Sequence, residues 1–227
     1  MTDIREIANK ILADQSYKHN RGTYYRDMVE AMTISLRNAV EPHDDEWNER
    51  ERQFEEMREK YGSDTITIWA NILGKIAVMM TRERSDYLGQ IYMSLEVGNR
   101  SSGQFFTPYH VSQLMAAMTY TKSIEKRIEE QGYITVSEPT CGSGGMILAM
   151  ADELERRGHD PSSTMIATMQ DIDRNCVNMA YVQMRLAGLA AVVIEGDTLM
   201  MEERRVLMTP GYVRHSAGQQ EQQQKAA

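Results

Sequence analysis

The stretch that most limits what this chain can fold into is a β-branched run that breaks into glycines. It reads Ile134-Thr135-Val136-Ser137-Glu138-Pro139-Thr140-Cys141-Gly142-Ser143-Gly144-Gly145 and leads at once into Met146-Ile147-Leu148-Ala149. Ile, Thr and Val suit a pleated strand, and three glycines in four positions permit a turn too tight for side chains. A strand that turns sharply into a helix opens a βα unit and presents backbone N–H groups to a ligand at the helix N-terminus. Taken alone, the same pattern serves a tight strand-to-helix turn that binds nothing.

The second half of the chain continues this alternation. Residues 134–136, 164–169 and 191–194 predict strands, and 109–120, 145–157 and 174–187 predict the helices between them. Such an order makes a parallel α/β sheet, whose ligand site lies beyond the carboxyl ends of its strands. The first hundred residues differ. They hold one proline, Pro42, and apolar residues three and four apart, as in Ile4, Ile7, Ala8, Ile11 and Leu12, so this part reads as all helical. Helices are expected over 23–40, 44–60, 64–83 and 85–98, the charge-dense 44–60 as a solvated face. Residues 219–227, QQEQQQKAA, have no apolar face to bury and predict a disordered tail. The domain reading is therefore 1–100 helical, 101–215 α/β and 216–227 tail.

Composition narrows the partners. With 25 basic and 33 acidic residues the formal charge is −8, which opposes approach to a polyanion, so contact with DNA needs a local patch or a partner. The 18 methionines suit irregular core gaps as well as a recognition surface. Cys141 and Cys176, the two cysteines, predict reduced thiols, and no cluster has zinc spacing. Met1-Thr2-Asp3-Ile4-Arg5 lacks the character of a signal peptide, and no apolar run approaches the ~18 residues of a membrane span; a cytoplasmic protein is expected.

Two carboxylates strengthen the case for a ligand. Asp171 ends the second predicted strand about thirty residues after the glycine turn, near where an acidic residue takes ribose hydroxyls in nucleotide-binding βαβ units. Asp197, in Glu195-Gly196-Asp197-Thr198-Leu199, ends the third and is placed to accept from a purine amine. Each is also a natural cap or turn aspartate. Three such features in strand order point to an adenosine compound.

These segments carry a resemblance. Gly103-Gln104-Phe105-Phe106-Thr107-Pro108 before a helix, then Glu138 through Met146, then Gln170-Asp171-Ile172, then Gly196-Asp197-Thr198-Leu199, resemble the modification subunit of type I restriction systems. Those proteins are adenine-N6 DNA methyltransferases that use S-adenosylmethionine. The segment Asp86-Tyr87-Leu88-Gly89-Gln90-Ile91-Tyr92-Met93-Ser94-Leu95-Glu96 is similar to the family's preceding helix, so the resemblance spans about 64–199. It implies a partial Rossmann-like methyltransferase sheet with flanking helices behind the helical N-terminal region. It also implies that Gln104, Phe105, Phe106, Thr107 and Pro108 hold the methionine end of the cofactor, with Thr107 in direct contact. Glu138, Cys141, Gly142, Ser143, Gly144 and Gly145 would wrap that end and the sulfonium, Asp171 would take the ribose and Asp197 the adenine amine. Phe105 and Phe106 serve equally well as core. DNA recognition would come through a separate specificity subunit.

The family's Asn/Asp-Pro-Pro-Phe/Tyr tetrapeptide, which holds the target amine and stacks on the flipped base, is not in the sequence. The nearest match is Thr209-Pro210-Gly211-Tyr212 after the short run Val206-Leu207-Met208. A Thr hydroxyl is a poorer acceptor than an Asn oxygen, and losing such an acceptor costs a factor of ~100 to 1,000 in rate. Only 30 residues follow Asp197, too few for the further strands of a complete sheet. Three readings follow: an adenine-N6 methyltransferase subunit that Thr209, Pro210 and Tyr212 or a partner completes; a non-catalytic cofactor-binding partner or regulator of a restriction-modification system; and a remnant with a purely structural turn. A sheet that stops early also leaves an edge for a helix, a partner or a second copy.

Overall fold

The computed structural model describes the backbone of residues 4–14, 20–95 and 105–226. Two compact units emerge: Met1–Glu83 with Tyr87–Phe106, and Arg84–Asp86 with Thr107–Ala227.

The first unit is helical, as expected. It contains α1 (Ile4–Ala13), α2 (Arg21–Asn38), α3 (Asp45–Tyr61), α4 (Ser63–Arg82) and α5 (Tyr87–Ser94). Asn20 sets the start of α2 two residues before the expected boundary, its side chain accepting from the Gly22 and Thr23 amides. Asp44 caps α3 in the same way, accepting from Trp47 N at 2.8 Å. The charged run forms α3, whose one buried side chain is Arg50, held by Asn38 and Glu41. The core gathers Ile7 and Ile11 of α1, Tyr24, Tyr25 and Met28 of α2, Trp69, Ile72 and Ile76 of α4, and Leu88 and Ile91 of α5. Tyr24 and Trp69 meet edge to face at 5.4 Å, and Tyr25 donates to the Leu88 carbonyl at 2.7 Å. α5 begins at Tyr87 rather than at 85, because Arg84–Asp86 belongs to the second unit.

That unit runs α6 (Tyr109–Thr119), α7 (Lys122–Gln131), β1 (Ile134–Glu138), α8 (Gly145–Arg156), α9 (Pro161–Thr164), β2 (Met165–Asp171), α10 (Arg174–Leu186), β3 (Ala190–Glu195), β4 (Arg205–Met208) and α11 (Pro210–Ala226). The sheet order is β1-β2-β3-β4. β1, β2 and β3 are parallel, with Glu138 opposite Met169 and Asp171 opposite Glu195, so their carboxyl ends share one edge. The core side is apolar: Met165, Ala167 and Met169 of β2 and Ala191 and Val193 of β3 are fully buried, as are Leu148 and Ala151 of α8 and Val177 and Tyr181 of α10.

Two features depart from the sequence reading. β4 lies antiparallel to β3, Arg205 facing Glu195 and Met208 facing Val192. The connection 196–204 is shorter than the dozen or more residues a parallel crossover needs, so the chain doubles back as a hairpin. α11 continues through 219–226, where a disordered tail is expected. Gln, Glu, Ala and Lys are good helix formers, and a helix already started at Pro210 extends with one hydrogen bond per residue.

Candidate cofactor edge of the sheet

The carboxyl edge of β1, β2 and β3 is stitched together by the loops that leave it. Cys141 N donates to the Gln170 carbonyl at 2.8 Å and Gly196 N to the Asp171 carbonyl at 2.9 Å. Thr198 Oγ1 donates to the Pro139 carbonyl at 2.6 Å, tying the third loop to the first. Glu138, the glycine turn, Asp171 and Asp197 therefore stand at one edge, as the alternating pattern predicts.

The turn has reasons of its own for being glycine. Gly142 and Gly144 adopt φ of +52° and +94°, the left-handed region that side chains disfavour. A Cβ on Gly144 would lie 3.2 Å from the Met169 and Met184 methyls and 3.4 Å from the Ala180 Cα. A Cβ on Gly145 would lie 3.2 Å from Asp86 Oδ2. Close packing within the protein thus bears on Gly144 and Gly145, and the positive φ alone favours glycine at 142.

Asp171 holds the turn as well as closing β2. Its Oδ2 accepts from Gly142 N at 2.9 Å and its Oδ1 from Asp173 N at 2.9 Å. Burial pushes its carboxyl above the ordinary aspartate range, and the amides of Asp173 and Gly142 pull the other way. The Ile172 amide also stabilises the charged form, so three backbone donors already serve this carboxylate. Asp197 is a turn aspartate: Oδ1 accepts from Leu199 N and Met200 N at 2.9 and 3.1 Å, which ties that oxygen to its own loop. Glu138 is half-buried, and its carboxylate makes no hydrogen bond or ion pair among the described residues. Burial, with Asp171 and Glu138 nearby, raises the Cys141 thiol well above its ordinary value, so Cys141 is neutral packing at this edge.

The other expected residues divide. Gln104 lies outside the described residues. Phe105 and Phe106 belong to the first unit, where Phe106 packs on Tyr92 at 5.1 Å and Phe105 is exposed. Thr107 and Pro108 open the second unit, and the Pro108 carbonyl accepts the first amides of α6.

Thr209, Pro210 and Tyr212 are not at this edge. Because β4 is antiparallel, its end faces the beginning of β3. Thr209 N donates to the Ala191 carbonyl at 2.9 Å, Ala191 N donates to Thr209 Oγ1 at 2.9 Å, and that hydroxyl donates to the Leu189 carbonyl at 2.7 Å. Thr209 is 1% exposed and lies four residues along β3 from Glu195, about 13 Å at ~3.3 Å per residue. Pro210 is the first residue of α11, and Val213 N returns to the Thr209 carbonyl at 3.1 Å. Thr-Pro here is a helix start, with proline where its missing N–H costs nothing. Gly211 packs against β3, since a Cβ there would stand 3.1 Å from the Ala190 N and Cα. Strand direction therefore sets this tetrapeptide at the opposite end of β3 from the glycine turn.

Two residues escaped the sequence reading. Asp86 and Gln183 are buried against the glycine turn: Ser143 Oγ donates to Asp86 Oδ2 at 2.6 Å, and Gln183 Nε2 donates to Asp86 Oδ1 at 2.8 Å and to the Ser143 carbonyl at 2.7 Å. A polar residue inside an apolar helix face, as Gln183 is in α10, was the available signal.

A groove of about 520 Å³ in the first unit, between α1 and α4, holds none of these residues. Two of its cations, Lys10 and Lys75, share Glu6, and nothing there matches the convergence of the strand ends. Among the described residues no helix is long and apolar enough to cross a membrane, and no group of three or more His, Cys, Asp or Glu is placed to hold a metal.

The N-6 DNA methylase family model matches residues 83–215, more than half of the chain. The chain belongs to that family. The match begins beside Asp86 and ends within α11, so it takes in the glycine turn and its braces. Among solved structures, the chain is 14% identical to one from Listeria monocytogenes described as a class I S-adenosylmethionine-dependent methyltransferase, with a TM-score of 0.47 over 88% of this chain and 55% of that one. It is 14% identical to the type I restriction-modification system methyltransferase subunit from Streptococcus thermophilus, with a TM-score of 0.44 over 86% of this chain and 57% of that one. The chain thus spans little more than half the length of either. No curated protein matches it.

Proposed function

We propose that the second unit binds S-adenosylmethionine at the carboxyl edge of β1, β2 and β3, as the cofactor-holding part of an adenine-N6 DNA methylation system. The donor set supports this reading. The Glu138 carboxylate has no partner among the described residues, Asp171 presents a second carboxylate, and the loops at 138–145, 171–173 and 196–199 carry no Lys or Arg. Such an edge suits a ligand that brings positive charge and hydroxyls and does not suit a phosphate. S-adenosylmethionine brings an ammonium, a sulfonium and a ribose diol, and when bound it supplies a methyl group open to nucleophilic attack. Glu138 takes the cationic end, Asp171 accepts from the diol, and Gly142 leaves room for the ligand beside the backbone. Thr107 is the further candidate for the methionine end, on the family resemblance.

Catalysis by this chain alone is not part of the proposal. The observation that carries this is Thr209: its hydroxyl is committed to the backbone at the far end of β3. The acceptor that orients the adenine amine comes from elsewhere, and DNA arrives through a specificity subunit, since a charge of −8 opposes direct binding. A cytoplasmic location fits that role. Calorimetric titration with S-adenosylmethionine tests the first half, and tritiated methyl transfer to unmethylated DNA, with and without a specificity subunit, tests the second. Binding without transfer by the isolated chain is expected. Robust transfer without any partner would overturn the reading.

A further inference from the structure

We propose that Asp86 is a positioning residue for the glycine turn, holding it in its ligand-ready conformation through Ser143 and Gln183. The proposal rests on the cofactor reading above and names the device that shapes that site. Arg84–Asp86 is a three-residue strap of the second unit, set in the chain between two segments of the first. Its first residue is fastened to the middle and far end of α8, Arg84 pairing with Asp152 at 2.7 Å and Glu155 at 2.9 Å. Its last residue reaches the start of α8, where Asp86 Oδ2 receives Ser143 Oγ and comes within 3.2 Å of where a Gly145 Cβ would be.

The brace is complete. Asp86, Ser143 and Gln183 are 2%, 2% and 0% exposed. The Gln183 amide spends its two N–H bonds on Asp86 Oδ1 and the Ser143 carbonyl, so residue 143 is gripped by side chain and backbone together. Its neighbours on either side are Gly142 and Gly144, both at positive φ, where glycine backbone is freest and most costly to order. Withdrawing a carboxylate from water is expensive, and apolar packing would fill the same space at lower cost. What the carboxylate adds is direction: two accepting oxygens admit one placement of Ser143. A turn ordered before binding spares the ligand that ordering entropy. A negative charge at the N-terminal end of α8 also suits the helix dipole.

The test uses the full chain with Asp86→Asn, Ser143→Ala and the two together. Hydrogen exchange of peptides spanning 141–148 is followed beside peptides from β2 and β3, with thermal melting and S-adenosylmethionine affinity measured on the same samples. Asp86→Asn should speed exchange of the turn selectively and weaken the cofactor about 10-fold. The double variant should fall well short of the sum of the singles, because Asp86 acts through Ser143. Additive effects, or turn exchange and affinity both unchanged in Asp86→Asn, would overturn the proposal. If Asp86→Asn does not fold, the milder Ser143→Ala carries the same two readouts, and slow exchange with full affinity in it counts against the brace. If the parent chain binds no S-adenosylmethionine, the cofactor reading fails by itself, and exchange of the turn alone decides the role of Asp86.

Discussion

The two ends of one sheet in this protein carry similar-looking chemistry and do different work. At the carboxyl ends of β1, β2 and β3, loops leave the sheet side by side, and their glycines, carboxylates and backbone amides converge on a shared edge. At the opposite end, Thr209 has a hydroxyl, a following proline and a nearby tyrosine, the ingredients of a degenerate catalytic motif. Its hydroxyl closes the seam between β3 and β4, and its proline starts α11. Residue type does not separate the two sites. Strand direction does, because it decides whether a residue at the end of a strand faces the loops of its neighbours or their beginnings.

Four outcomes would break or sharpen this contrast. The largest effect is expected at Gly142→Val. Cβ branching at a φ of +52° strains the backbone and fills the ligand space, so S-adenosylmethionine binding should be lost in calorimetry while circular dichroism still reports a folded chain. Retained affinity would place the ligand elsewhere.

Thr209→Val should do the reverse. It strips partners from the buried Ala191 amide and the Leu189 carbonyl, and at about 1–3 kcal/mol for each unsatisfied group stability should fall by roughly 2 kcal/mol or more. Cofactor affinity per folded molecule should not change. Urea unfolding with parallel calorimetry checks both, and a variant of unchanged stability with weakened cofactor affinity would return Thr209 to the cofactor site. Gly211→Pro belongs to the same class, since it drives atoms toward Ala190.

Asp171→Ala should weaken the cofactor by one to two decades, the value of a charge-assisted contact of about 1.5–3 kcal/mol. Its pH dependence has a definite sign. The folded carboxyl is raised by burial, so its ionisation opposes folding: the associated stability is present below the ordinary aspartate value and is lost as pH rises through the folded one. Binding through the carboxylate runs the other way, weakening as pH falls through the raised value. Titrations across mildly acidic pH should show that slope in the parent and not in Asp171→Asn.

The smallest effect is expected at Asp197→Ala, which removes the cap on Leu199 and Met200 at the cost of about 1 kcal/mol in stability and less than 10-fold in affinity. A loss as large as that of Asp171→Ala would give Asp197 a direct contact with the ligand.

Much of this was open to reading in the chain. Period-3.6 patterns placed α1 and α4, the β-branched runs placed β1, β2 and β3, and Gly142, Asp171 and Glu138 arrived at one edge as the alternation demands. The direction of β4 was also legible, for a connection as short as 196–204 excludes a parallel crossover. So was the helix start in Thr209-Pro210, since a hydroxyl residue before proline is a strong signal for it. Residue type alone makes the tetrapeptide look catalytic; the direction of its strand sets it at the other end of β3.

Asp86 marks the true boundary. Local sequence determines where strands, turns and helices form, because the forces involved, periodic burial, φ preference and capping, act over a few residues. It could not reveal that a carboxylate preceding α5 would be 57 residues from the serine it grips and 97 from the glutamine that completes the brace. Those partners meet only when α8 and α10 pack on the same sheet. A buried polar network is specified by three-dimensional coincidence of donors and acceptors, and the local pattern marks one member, Gln183 on the apolar face of α10, without naming its partners.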